Sequence, residues 1–168
     1  TSVQDLVLNY KNKWTKFFIK QKPSAKVWFF SMESLPKKAS GVFYRNGWVY
    51  FQDSSGPTPV LSIGDFEKQW GEHNLQNLLA SSLVANLAGV PCEKIQQSIK
   101  TLPQVPFRQE VVYEDKRLKI INDTSATSPD GGIAAINKFA GTSTVLIAGG
   151  TDRQLDYKEW ARVVRQKI

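Results

Sequence analysis

Hydrophobic and polar positions follow two different patterns along the chain, and these meet near residue 104. Before this point, short apolar runs typical of buried strands alternate with segments in which apolar residues recur every three or four positions, as in amphipathic helices. After it, the order strand, helix, strand, helix from residue 117 onward predicts a parallel α/β sheet. Residues 101–107 contain two prolines and show no periodicity. We therefore expect a linker there and a domain boundary near residue 104.

The first part of the chain predicts short strands and three helices. Asn46-Gly47 suits a two-residue turn with positive φ, so residues 41–51 are expected to form a hairpin. Pro57 and Pro59 are expected to break the chain before the next strand. In chain order we expect a strand over 5–8, a helix after Asn12, a strand over 26–31, the hairpin, a strand over 60–63, and helices over 74–89 and 92–99.

Beyond the linker, the pattern predicts strands over 109–114 and 118–122 that form a second hairpin. Pro129 suits a first-turn position and leads a predicted helix over 129–139. Residues 144–148 are β-branched and apolar, which predicts a strand at the centre of a sheet. A final amphipathic helix is expected from residue 157 onward.

The aromatic residues of the first predicted helix lie among lysines. Trp14, Phe17 and Phe18 have the i, i+3, i+4 spacing of a core-facing stripe, so we expect them to be mostly buried. On this interpretation, Phe17→Ala lowers the stability of the fold by about 3–5 kcal/mol.

Positive charge is concentrated in the same part of the chain. Residues 1–50 hold nine Lys or Arg against two acidic residues, whereas the remaining 118 residues hold thirteen of each sign. A basic segment of this kind is either a solvated surface or a contact for phosphates. An alternative hypothesis is therefore a basic nucleic-acid-binding module that uses Trp14, Phe17, Trp28 and the surrounding lysines.

Composition excludes several classes of protein. The hydrophobic content of 41% is enough for a core, which argues against a disordered chain. No apolar run approaches the ~20 residues that a membrane span needs. Cys92 is the only cysteine, so an internal disulfide framework is excluded and a reducing compartment fits.

Two asparagines begin the apolar pattern of the helix predicted over 74–89. Asn74 and Asn77 are three residues apart, so their carboxamides leave the first turn on one side. A carboxamide has two donors and an acceptor, which suits the edge of a nucleobase. The alternative is that Asn74 is only an N-cap and Asn77 a solvated residue.

Polar clusters also follow two strands predicted beyond the linker. Residues 123–127 follow the strand over 118–122, and residues 149–153 follow the strand over 144–148. Ligands collect at the carboxyl ends of parallel strands, because the loops there converge. The same residue types are also common in turns and helix caps.

The order of these motifs resembles the order found in the Mur ligases. Within that family, it is most similar to the type that adds D-glutamate. The motifs are Asn74-x-x-Asn77, Phe107-Arg108, Asn122-Asp123 followed by Thr127, and Gly149-Gly150 followed by Arg153. The resemblance runs from about Val3 to the last residue. It implies an α/β fold in which residues 1–104 are the end of a central ATPase domain. Residues 105–168 would be the beginning of a Rossmann-like, glutamate-binding C-terminal domain.

The resemblance also implies roles for individual side chains. Asn74 and Asn77 would face the adenine of ATP, and Arg108 and Asp123 would hold the nucleotide, mainly at its ribose. No catalytic residue and no metal ligand is assigned in this segment.

Two further residues would contact the substrate. Thr127 would lie by the nucleotide and the incoming glutamate, and Arg153 would help to bind the glutamate carboxylate. Ser125 and Arg153 stand where lysine is usual in the family. The first departure removes a cation from the loop, and the second favours planar two-point binding of a carboxylate.

By resemblance, the parent protein would be an ATP-dependent amide ligase of peptidoglycan precursor synthesis. It would join D-glutamate to UDP-N-acetylmuramoyl-L-alanine through an acyl phosphate, with ATP and Mg²⁺ as cofactors. The chain contains no Gly-x-x-Gly-Lys-Thr phosphate loop and no match to the family's magnesium ligands. We therefore expect an incomplete piece that is inactive alone and whose metal ligands lie outside it.

The protein is expected to be a cytoplasmic monomer that binds no nucleic acid and spans no membrane. A second alternative is a Mur-type or folate-type ligase with another amino-acid substrate. The stretch Asn-Asp-Thr-Ser-Ala-Thr over 122–127 matches the D-glutamate-adding type best.

Overall fold

A computed structural model describes residues 4–141 and 143–168. The chain divides into two compact units: unit 1 ends at Leu102, and unit 2 spans Pro103–Ile168. This division lies close to the boundary expected near residue 104. Leu102 and Val105 on either side of it are exposed. None of the helices in the described ranges is long and apolar enough to cross a membrane.

Unit 1 is built on a five-stranded sheet with strands in chain order. The first three strands are parallel and the last two continue the sheet antiparallel. Asn46 and Gly47 have φ values of 50° and 79°, so the predicted two-residue hairpin is confirmed. The strands are β1 (Asp5–Asn9), β2 (Lys26–Ser31), β3 (Gly41–Arg45), β4 (Trp48–Asp53) and β5 (Gly56–Ser62), and the helices are α1 (Thr15–Lys20), α2 (Phe66–Trp70), α3 (Glu72–Leu87) and α4 (Cys92–Lys100).

The core of unit 1 lies between this sheet and α3. Leu75, Leu79 and Leu83 recur every four residues along α3 and are completely buried, and they share a cluster with Val42 and Val49 of the sheet, which are at most 2% exposed. Burying a leucine side chain contributes about 1.5–3 kcal/mol. The apolar spacing therefore positions the beginning of α3 firmly against the sheet.

Both prolines expected to break the chain lie inside β5 instead. Pro57 pairs in register with Gln52, and Pro59 with Tyr50. The prediction was wrong because β5 is the last strand of its sheet. A proline has no N–H to donate, and only an edge strand tolerates this loss.

The expected burial of the aromatic stripe is also wrong. Trp14, Phe17 and Phe18 are 58%, 53% and 49% exposed, and the buried residue of this segment is Thr15. The Thr15 hydroxyl donates to the carbonyl oxygen of Asn9, which anchors this short helix on its polar side. Helical spacing shows that residues share a face, but it does not show whether that face is buried.

The prediction for Phe17→Ala changes accordingly. A ring that is half-exposed loses little transfer free energy on truncation, so we expect a loss of less than about 1 kcal/mol in the free energy of unfolding. Urea unfolding of the wild type and the variant measures it. A loss of about 3 kcal/mol or more would show that the ring is buried.

Unit 2 consists of an antiparallel hairpin and two helices. The hairpin pairs β6 (Glu110–Glu114) with β7 (Lys119–Asn122), as predicted. The helices α5 (Pro129–Phe139) and α6 (Lys158–Lys167) also agree with the predicted pattern. A Cβ on Gly132 of α5 would lie 2.7 Å from Nε1 of Trp160, so the glycine allows the indole to pack against α5.

The predicted strand over 144–148 is absent from the described residues. This segment forms no ladder, and Val145 and Ile147 are 88% and 95% exposed. The parallel sheet predicted from residue 117 onward is therefore not found in the part of unit 2 that the structure describes. A strand needs a partner for its backbone groups, and apolar composition alone does not supply one.

Candidate functional site

The first two turns of α3 carry the two asparagines singled out by the sequence. The N-cap is Gly71, so Asn74 lies inside the helix and is not its cap. Its Nδ2 donates to the carbonyl oxygen of Trp70, the last residue of α2, over 2.8 Å. Asn74 is half-buried, whereas Asn77 is exposed. The carboxamide of Asn74 thus joins two helices, and that of Asn77 faces solvent.

A second contact shows where this turn lies on the sheet. Asn9 is the last residue of β1, and its Nδ2 donates to Oε1 of Gln76 over 3.2 Å. The beginning of α3 is therefore held at the carboxyl edge of the parallel strands, where ligands bind in α/β sheets. The sequence interpretation missed both residues. The signal that could have found them is a polar residue at the end of a predicted parallel strand.

In unit 2, the backbone around Arg108 adopts an uncommon conformation. Phe107 and Gln109, on either side of it, have φ values of 61° and 49°, which cost a residue other than glycine about 1–3 kcal/mol. Two hydrogen bonds support this turn: the Phe107 amide donates to the Glu110 carboxylate over 2.8 Å, and the Gln104 side chain donates to the Arg108 carbonyl oxygen over 2.9 Å. Arg108 itself is exposed.

Two further hydrogen bonds join this turn to the loop after β7. The Gln109 amide donates to Oδ1 of Asp123 over 2.9 Å. The Ser125 amide donates to the carbonyl oxygen of Phe107 over 3.0 Å. The backbone residues on both sides of Arg108 are therefore bonded to the loop that carries Asp123. A guanidinium donor and a carboxylate acceptor together complement a pair of hydroxyl groups.

Lys138 is a member of this cluster that the sequence interpretation missed. It is half-buried, and its Nζ donates to Oε1 of Gln109 over 3.3 Å. Burial lowers the pKa of its ammonium group, the positive charge of Lys119 lowers it further, and the Asp123 carboxylate opposes this shift. A cation therefore lies near the loop that carries Asp123. In the sequence, Lys138 is a lysine near the end of a predicted helix, and that position does not indicate that it lies near Asp123.

The remaining two predicted residues lie elsewhere in unit 2. Thr127 is exposed and precedes Ser128, whose Oγ accepts from the Gly131 amide over 3.2 Å at the N-terminus of α5. Arg153 is exposed in an irregular segment. Among the described residues, no hydrogen bond joins Thr127 to Arg153.

Within residues 4–141 and 143–168, no group of three or more His, Cys, Asp or Glu side chains could hold a metal ion.

Curated relatives that match the chain carry one activity in their names, and two of them illustrate the similarity. The chain is 34% identical over 163 residues to a UDP-N-acetylmuramoylalanine–D-glutamate ligase of Caldanaerobacter subterraneus subsp. tengcongensis. It is 35% identical over 162 residues to the ligase of that name from a Thermoanaerobacter species. These matches cover 97% and 96% of the chain, but 34% and 35% of the relatives. The chain thus spans about one third of their length.

Solved structures agree with the fold. A UDP-N-acetylmuramoylalanyl-D-glutamyl-2,6-diaminopimelate–D-alanyl-D-alanyl ligase from Acinetobacter baumannii superposes with a TM-score of 0.54 at 20% identity, over 82% of this chain and 30% of that one. No family model matches the chain. The α/β fold class implied by the resemblance is confirmed by the structural similarity, and the resemblance itself by the curated relatives. Over nearly all of its own length, the chain is similar to D-glutamate-adding ligases of the Mur ligase family, and it shares its fold with a solved ligase structure.

Proposed function

We propose that this chain is part of an ATP-dependent ligase that joins D-glutamate to UDP-N-acetylmuramoyl-L-alanine during the synthesis of peptidoglycan precursors. ATP transfers its γ-phosphoryl group to the carboxylate of the muramoyl substrate and leaves as ADP. The amine of D-glutamate then attacks the acyl phosphate, and phosphate leaves as the amide bond forms. Unit 1 is then the end of the central ATP-binding domain, and unit 2 is the beginning of the glutamate-binding domain. The chain's own contribution is to bind and position reactants.

The observation that carries this proposal is the pairing of the Arg108 turn with the Asp123 loop. The residues on both sides of Arg108 bond to this loop. The Gln109 amide donates to Oδ1 of Asp123, and the Phe107 carbonyl oxygen accepts from the Ser125 amide. This arrangement suits the two hydroxyl groups of a ribose, which donate to the carboxylate and accept from the guanidinium. The strained backbone on both sides of Arg108 is of the kind that clusters at ligand sites.

On the adenine side, Asn74 and Asn77 would contact the base. The exposed carboxamide of Asn77 would donate to a ring nitrogen and accept from the exocyclic amine. Asn74 already uses one donor for the Trp70 carbonyl oxygen, so its role would be to fix the turn and to offer its remaining polar atoms.

On the substrate side, Thr127 and Arg153 would contact the nucleotide and the incoming glutamate. The planar guanidinium of Arg153 would form two parallel hydrogen bonds with a carboxylate. Mg²⁺ would be bound by residues outside the described cluster and would neutralise phosphate charge. The protein would act in the cytoplasm as a monomer.

The test uses a complete protein that contains this chain. Release of phosphate from ATP should require both UDP-N-acetylmuramoyl-L-alanine and D-glutamate. Release with another amino acid in place of D-glutamate would favour the alternative Mur-type or folate-type substrate. Absence of release with every amino acid would reject the ligase itself.

A separate prediction concerns the 168-residue chain alone. Because its sequence has no glycine-rich loop to hold the β- and γ-phosphates, we expect no phosphate release above background in the presence of both substrates. A coupled phosphate assay of the purified chain measures it, with the complete protein as positive control. Substrate-dependent release by the chain alone would contradict the prediction.

A further inference from the structure

The last turn of α5 carries a lysine that is directed towards the rest of unit 2. Lys138 is the residue before the last one of α5 and is half-buried. Its Nζ donates to Oε1 of Gln109 over 3.3 Å and lies 4.9 Å from the centroid of the Phe139 ring. Both partners belong to unit 2, so these contacts are internal and do not require an open surface.

Gln109 connects Lys138 to the turn that carries Arg108. It is 7% exposed, its side chain accepts from Lys138, and its amide donates to Oδ1 of Asp123 over 2.9 Å. Its φ of 49° lies in the left-handed region, which is unfavourable for residues with a Cβ. Hydrogen bonds to the side chain and to the backbone therefore stabilise a conformation that this residue alone would rarely adopt.

Electrostatic interactions place Lys138 near the same loop. Among the described residues, the charged groups that affect its pKa are Asp123, which raises it, and Lys119, which lowers it. Lys119 is itself paired with Glu114 over 2.9 Å. A half-buried ammonium group needs acceptors or opposite charge nearby, and the Gln109 side chain and the Asp123 carboxylate supply them. Lys138 therefore interacts with the turn and with the loop where these two meet.

We propose that Lys138 is a positioning residue: it holds Gln109, and through Gln109 it keeps the Arg108 turn joined to the loop of Asp123. Its effect on nucleotide binding rests on the proposed function, in which Arg108 and Asp123 contact the ribose. A site that is already in its binding conformation loses less conformational freedom when the ligand binds. Loss of the ammonium group should therefore weaken nucleotide binding although no contact with the nucleotide is removed.

The positioning itself is tested in the 168-residue chain without nucleotide. Lys138→Met keeps an unbranched side chain and removes the ammonium group. We expect the Gln109 amide to exchange its hydrogen for deuterium about fivefold faster in this variant, because its bond to Asp123 opens more often. Lys138→Arg keeps a charged donor and should retain most of the protection. NMR spectroscopy measures the exchange rates.

A matched variant controls for the loss of a positive charge elsewhere in unit 2. Lys116 lies between β6 and β7, and Lys116→Met should leave the exchange of the Gln109 amide unchanged. The Ala161 amide, which donates to the carbonyl oxygen of Tyr157 at the beginning of α6, reports on unit 2 away from the turn. It should exchange at the wild-type rate in every variant, which shows that unit 2 remains folded.

The consequence for the nucleotide is tested in a complete protein that contains this chain. Lys138→Met should raise the Kd for ATP about fivefold, Lys138→Arg should restore most of the affinity, and the Kd for UDP-N-acetylmuramoyl-L-alanine should stay unchanged. Gln109→Met should also weaken ATP binding. The double variant should bind ATP no more weakly than the weaker single variant, because both changes break the same contact. Additive losses would show that Lys138 does not act through Gln109.

Three further outcomes would overturn the proposal. The first is unchanged exchange of the Gln109 amide in Lys138→Met, which rejects the positioning whatever the protein binds. The second is faster exchange with unchanged ATP affinity in Lys138→Met, while Asp123→Ala binds ATP more weakly; the nucleotide site then does not need this lysine. The third is unchanged ATP affinity in both Lys138→Met and Asp123→Ala, which rejects the proposed nucleotide site and, with it, the role of Lys138 in binding.

Discussion

Replacing Gly41 with alanine is expected to lower the free energy of unfolding of unit 1 by more than about 4 kcal/mol. Gly41 begins β3 and lies opposite Phe29 of β2 in the parallel ladder. A Cβ at this position would lie 1.8 Å from the carbonyl oxygen of Phe29, and φ is 152°. The obstructing atom belongs to backbone of a strand paired on both sides, so no side-chain rotation relieves the clash.

Gly56→Ala is the control variant, because it measures the cost of an unfavourable φ without a steric clash. Gly56 also has a positive φ, 107°, but a Cβ there would meet no atom within 4 Å. We expect this variant to lose only about 1–3 kcal/mol, the cost of an unfavourable φ. Urea unfolding followed by tryptophan fluorescence compares the two. Similar losses in both variants would show that the strands separate easily and would contradict the expected clash.

If the proposed nucleotide site is correct, Asp123→Ala should weaken ATP binding to a complete protein that contains this chain by about 1.5–3 kcal/mol, the range for a hydrogen bond to a charged group. The proposed ribose contact is lost, and Oδ1 no longer accepts from the Gln109 amide. That second loss frees the turn that holds Arg108. Affinity for UDP-N-acetylmuramoyl-L-alanine should change little. Titration of each nucleotide into the wild type and the variant measures both affinities.

Asp123→Asn is the matched variant. Its Oδ1 can still accept from the Gln109 amide, whereas the negative charge is gone. We expect an affinity for ATP between those of the wild type and Asp123→Ala, because the turn remains in place. Unchanged ATP affinity in both variants would remove Asp123 from the site. Equal losses for ATP and the muramoyl nucleotide would indicate a folding defect instead.

Elements held by neighbouring residues could be predicted from the sequence. Asn46-Gly47 specifies a turn because few other pairs adopt two positive φ values. Helix α5 follows its predicted bounds because Ser128 caps it and Pro129 suits the first turn. The hairpin of β6 and β7 closes around Asp115, whose Oδ1 accepts from the amides of Arg117 and Leu118. All these interactions span a few residues, so a local pattern contains them.

The candidate site could be predicted only in part. Motif order proposed Arg108 and Asp123, but the hydrogen bonds that join the turn around Arg108 to the loop of Asp123 involve Phe107, Gln109 and Ser125. Asn9 and Gln76 are 67 residues apart in the chain, and no local pattern links them. The hydrogen bond from Lys138 to Gln109 spans 29 residues, and no local pattern predicts it either. Contacts of this kind depend on how the elements pack.

By itself, the sequence determined the turn at Asn46-Gly47, the helices other than α2 (Phe66–Trp70), and which family the chain resembles. Only the tertiary structure decided which faces are covered. The stripe of Trp14, Phe17 and Phe18 has core-like spacing yet is exposed, because burial requires a partner surface. Pro57 and Pro59 lie in a strand because β5 has a neighbour on one side only. The periodicity of apolar residues can be found in a single segment. Burial and strand pairing each depend on a second segment that packs against the first.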